Sequence, residues 1–81
     1  MTNTLRIYDN GGKTLDRYTA VFMDRPERRA GLFEALGFNC APFHPQGIGL
    51  HCQAMPGRHL GRRIELDDLP ADARQFVMQN L

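Results

Sequence analysis

An 81-residue chain that is 42% hydrophobic and 23% charged, with five phenylalanines and no tryptophan, has the composition of one ordinary globular domain rather than of a disordered segment. A domain of this size withdraws only about 60 to 65 per cent of its unfolded surface from water, so its core is thin. A formal net charge of +1 lacks the basic surplus usual in nucleic-acid domains, and no apolar run approaches the roughly 18 residues of a membrane span.

The stretch Met1 to Tyr8 has neither the basic start nor the apolar segment of a secretion signal. The cytoplasm is the expected location, and there Cys40 and Cys52 are expected to stay as thiols. Leu5 to Tyr8 and Leu15 to Met23 are short β-rich runs separated by Asp9-Asn10-Gly11-Gly12, a concentration of turn formers, and this predicts a β-hairpin. Asp24-Arg-Pro-Glu27 then has the spacing of a capping box with proline in the first turn. A helix is predicted from there to about Leu36. Ala30, Phe33 and Leu36 or Leu32 would form its apolar stripe, and Gly37 would be its left-handed stop.

Pro42 and Pro45 bracket Phe43 and His44 and predict an extended path. Ile48 to Ala54 reads as a strand, Pro56-Gly57 as a turn, Arg62 to Leu66 as a second strand, and Pro70 to Asn80 as a closing helix. In that helix Leu69, Ala73, Phe76, Val77 and Leu81 form the apolar stripe, and Asp67 and Asp68 sit at its positive end. The predicted order is β-β-α-β-β-α, a single α+β domain over residues 1–81 with two helices packed on a small, mostly antiparallel sheet.

Charge is distributed unevenly along this order. Residues 35–64 contain three arginines and no Asp or Glu, and they hold all three histidines and both cysteines, whereas residues 65–81 sum to −3. Any functional site is expected in that acid-free window. A zinc site could draw on Cys40, His44, His51, Cys52 and His59, but no two cysteines lie two to four residues apart, and adjacent His51 and Cys52 on a strand face opposite sides. A cysteine–histidine nucleophile has no recognisable motif around either cysteine, so no enzyme and no cofactor are predicted.

Two binding readings remain. Arg58, His59, Arg62 and Arg63, set among Gly57 and Gly61, could clamp an anion, although no Walker loop and no dinucleotide fingerprint is present. The plain structural alternative is that these arginines pair with Glu65, Asp67, Asp68 or Asp72. Phe43, His44 and Gln46, with Met55, Arg58 and His59, also suit a protein-binding surface, since arginine, methionine and aromatic residues are enriched at interfaces.

The stretches Ile7-Tyr-Asp-Asn-Gly-Gly-Lys-Thr14, Asp16-Arg-Tyr-Thr19, Phe43-His-Pro-Gln-Gly47 and His59-Leu-Gly-Arg-Arg-Ile64 resemble small uncharacterised proteins encoded by bacteria, phages and other mobile elements. The resemblance spans nearly the whole chain and implies no catalytic residue. It implies a context in which small proteins bind and modulate a macromolecule, inhibition of a host defence system being one example.

The expected function is therefore that of a small soluble binding or modulator protein, acting on a protein partner through Phe43, His44, Gln46, Arg58, His59, Arg62 and Arg63. A nucleic-acid accessory protein using the 58–63 arginines is the second reading, and a small metal-binding domain the third. No membrane partner is expected, and a homodimer fits the thin core.

Overall fold

The computed structural model describes residues 4–81; residues 1–3, the start of the stretch read above for a secretion signal, lie outside the described residues. Five strands, β1 (Leu5–Asp9), β2 (Tyr18–Pro26), β3 (Phe33–Phe38), β4 (Gly49–Ala54) and β5 (Arg62–Ile64), precede one helix, α1 (Ala71–Gln79). The strands form one antiparallel sheet in the order β4-β3-β2-β1-β5. No helix among the described residues is long and apolar enough to cross a membrane.

The predicted β1–β2 hairpin forms, with Leu5 opposite Phe22 and Asp9 opposite Tyr18, but its second strand begins at Tyr18 rather than Leu15, so the connection runs over residues 10–17. Its connection is held by Asx-type bonds, in which the Asp9 carboxylate accepts from Gly11 N–H at 2.8 Å and the Asn10 carbonyl oxygen from Gly12 N–H at 2.8 Å.

The predicted first helix does not exist, and the β-β-α-β-β-α order with two helices packed on the sheet is overturned. β2 continues through Asp24 to Pro26, the chain turns over residues 27–32, and β3 returns. Glu27 N–H donates to Leu32 O at 2.9 Å and closes this second hairpin, while Gly31 takes φ +86°, a left-handed value that only glycine adopts freely. Across the hairpin Arg25 bonds Glu34 at 2.8 Å, joining two residues assigned above to one helix.

The misreading has a physical cause. β3 lies inside the sheet with cover on both faces, so Ala35, Leu36 and Phe38 are all buried and the alternation that marks a half-exposed strand is lost. The remaining pattern of Leu32, Phe33, Leu36 imitates a helical stripe. Gly37 lies within β3 rather than in a helix stop.

The closing helix is present, and it covers one face of the sheet. Leu69, Ala73 and Val77 enter a cluster with Ile7, Tyr18, Ala20, Phe22, Leu36, Phe38 and Ile64. Phe38 is at its centre, with the Tyr18 and Phe76 rings each 5.6 Å from its own. Leu81, expected on the helix stripe, is instead 64% exposed. The opposite face holds a smaller cluster of Tyr8, Val21 and Ala35, with Met23, Phe33, Ala54 and Leu60 packed against it.

Leu60 comes from the connection that gives the fold its shape. β4 and β5 occupy opposite edges, four inter-strand spacings or about 19 Å apart, and residues 55–61 alone join them. This segment straps the face that the helix leaves bare. The strap ends at Gly61, φ +116°, where a Cβ would collide with the carbonyl of Asp9, so the close pass over β1 requires glycine.

Candidate functional site

The strap and β5 together build a cationic hollow. Residues 58–60 form one 3-10 turn, with Leu60 N–H donating to Gly57 O at 3.1 Å and Gly61 N–H to Arg58 O at 3.0 Å. β5 then pairs antiparallel with β1, and its register sets Arg62 opposite Asp9 and Arg63 opposite Tyr8. A hollow of about 490 Å³ results, lined by Tyr8, Gly57, Arg58, Gly61, Arg62 and Arg63.

Tyr8 is 3% exposed and forms the aromatic floor, and the Arg63 guanidinium lies 5.9 Å from its ring centre, within cation–π range. Arg63 also borders a second hollow of about 560 Å³, which includes Arg6, Ile64, Glu65 and Asp67. Cationic groups thus stand on both sides of the β1–β5 seam.

Among the described residues the ion pairs are Arg17–Asp9 and Arg25–Glu34, so the pairing of Arg58, Arg62 and Arg63 with Glu65, Asp67, Asp68 or Asp72 does not form. Asp68 is engaged otherwise, accepting from Glu65 N–H at 2.8 Å. Asp9 stands opposite Arg62 across the β1–β5 pairing. Its carboxyl is held below the ordinary range first by its bond to Arg17, then by Gly11 N–H and the charges of Arg17 and Arg62, against an opposing effect of burial.

Phe43, His44 and Gln46 lie elsewhere. Phe43 is edge-on to Phe76 of α1 at 5.9 Å, on the helix-covered side of the sheet, and is 49% exposed. His44 Nδ1 accepts from Gln46 N–H at 3.0 Å, and His44 N–H donates to Ala41 O at 3.1 Å, so these two residues shape their own loop. That loop is a pair of turns rather than the extended path predicted from its prolines. Asn39 fixes it, its side-chain oxygen accepting from Ala41 N–H at 3.0 Å and Ile48 N–H at 3.1 Å. The seven residues named from sequence therefore divide into two groups, Phe43, His44 and Gln46 in the loop before β4, and Arg58, His59, Arg62 and Arg63 on the strap and β5, where Arg63 shares the Tyr8 face and Arg62 the opposite one.

His59 is exposed, its ring folded back beside Gly57. No three His, Cys, Asp or Glu side chains among the described residues come together as a metal ligand set. Cys40 and Cys52 are free and exposed. Partial burial, and then the negative charge of Asp16, push the Cys52 thiol up, the reverse of what an activated nucleophile needs.

The residue the sequence reading missed is Tyr8. The alternation Leu5-Arg-Ile-Tyr8 already sets Arg6 and Tyr8 on one face of β1, but only the distant β5 brings Arg63 onto that face. No family model, no curated protein and no solved structure matches this chain.

Proposed function

We propose that this protein is a small binding module that acts through a macromolecular partner, a protein presenting an acidic segment to Arg58, Arg62 and Arg63 around Tyr8. The observation that carries the reading is that Arg58, Arg62 and Arg63 all line one hollow beside Tyr8, with the Arg63 guanidinium over the Tyr8 ring, and none of the three has an ion pair among the described residues. Arginine in such a place offers flat, paired donors to a carboxylate.

A protein partner is favoured over nucleic acid by the extent of the charge. The cationic surface is compact, and Glu65, Asp67, Asp68 and Asp72 follow it directly in the chain. A phosphate backbone needs a longer basic track, whereas one or two carboxylates fit a hollow of this size.

The test is fluorescence anisotropy with a labelled hexaglutamate peptide and a single-stranded thymidine oligonucleotide of equal charge, near physiological salt. Saturable binding of the peptide, weakened about tenfold or more in the Arg58→Gln, Arg62→Gln, Arg63→Gln triple variant, is expected. Tighter binding of the oligonucleotide, falling steeply with salt, would replace this reading with a nucleic-acid one. Binding of neither probe would remove the arginines as the site.

A further inference from the structure

The two edges of the sheet differ in kind. β5 is three residues long and begins with two arginines, and shortness and charge both keep an edge from recruiting another strand. β4 runs for six residues, pairs with β3 along its whole length without a bulge, and contains no proline, lysine, arginine, aspartate or glutamate. None of the usual protections is present.

The ladder phase shows what this edge presents. Asn39 N–H donates to Ile48 O at 3.0 Å, so by alternation Leu50, Cys52 and Ala54 bond β3, and the N–H and C=O groups of Gly49, His51 and Gln53 point away from the sheet. Among the described residues no strand pairs with them, and residues 50–53 are exposed. Side chains divide the same way. Leu50, Cys52 and Ala54 lie on the strapped face, and Gly49, His51 and Gln53 on the helix face. Leu50 is 57% exposed and Met55, just beyond the strand, 51%.

We propose that β4 is a dimerisation edge, on which a second copy of this chain pairs β4 antiparallel to β4 about a twofold axis perpendicular to the sheet. Such an axis keeps like faces together, so only residues of the same parity meet. Leu50 meets Cys52 or Ala54 of the second copy, and His51 meets His51 or Gln53. In either register apolar groups meet apolar ones, and no charged side chain is brought against another.

The same chain is favoured over a foreign strand by this self-complementarity and by closure. β5 is blunted, so β4 cannot pair with it to grow a filament, and β4 with β4 uses up both open edges. Two short strands bury an area in the weak class, below about 1,200 Å², so the dimer depends on concentration.

Sedimentation velocity on the full chain tests this. The average mass is expected to rise from 9.2 kDa toward twice that value across about two decades of concentration. Gln53→Pro removes an outward N–H without touching the ladder to β3, and it is expected to stay monomeric with an unchanged circular dichroism spectrum, while Gln53→Ala still dimerises. Should the proline variant fail to fold, the double variants His51→Glu with Gln53→Glu and His51→Lys with Gln53→Lys supply the answer, since like charges meet in either register: each alone is monomeric, and an equimolar mixture dimerises. A wild type monomeric at every concentration, a folded proline variant that still dimerises, or a mixture that stays monomeric would each overturn the proposal.

Discussion

Arg17 holds Asp9 with two parallel bonds, Nε to Oδ1 at 2.8 Å and Nη2 to Oδ2 at 3.0 Å, across the mouth of the first hairpin. The pair fixes the end of β1 over which Gly61 passes and opposite which Arg62 lies. Because these contacts favour the charged carboxylate, its pKa in the folded protein is below the unfolded value. The stability it contributes is complete above the ordinary aspartate range, about pH 4, and is lost as pH falls through the lower folded value. Asp9→Asn is expected to lower the melting temperature at pH 7, and the difference from wild type is expected to shrink steadily below about pH 4. A difference that stays constant down to pH 2 would show that the charge on Asp9 does not matter.

Gly61→Ala introduces a Cβ against the Asp9 carbonyl at a backbone angle, φ +116°, that alanine rarely adopts. Backbone strain of about 1 to 3 kcal/mol is expected before the collision is counted. Thermal melting reads the stability loss, and acidic-peptide binding should fall with it, because the strap holds Arg58. A melting temperature within a degree of wild type would mean that the strap shifts freely.

Phe38→Ala removes the ring between Tyr18 and Phe76 at a fully buried position. Truncations of this type cost roughly 3 to 5 kcal/mol, a large share of the 5 to 15 kcal/mol of a small domain. Urea denaturation is expected to show a midpoint far below wild type. A loss under about 1 kcal/mol would mean that the helix does not depend on that ring for its seat.

The first hairpin was legible because its signals are local: turn formers occupy the connection, and β-rich residues flank it. The final helix was legible for the same reason, since Ala73 and Val77 recur at helical spacing and both are buried. β3 was not, because its burial on two faces is a property of its neighbours and erases its own periodicity. The arginines were found through the absence of acids around them, whereas Tyr8 needed the long-range pairing of β1 with β5. Phe43 and His44 were drawn into the same site by proximity in sequence alone. Phe43 packs on α1 and His44 shapes its own loop.

The strap gives the cationic hollow an order of assembly. β1 to β4 pair with neighbours in sequence, so each closes a short loop, but Tyr8 meets Arg63 only when the first and last strands come together, the most costly closure in the sheet. A chain that has built only its first four strands has the aromatic floor without Arg58, Arg62 and Arg63 around it. The cationic hollow is thus complete only once β5 is seated on β1, so it exists only in molecules whose sheet has closed.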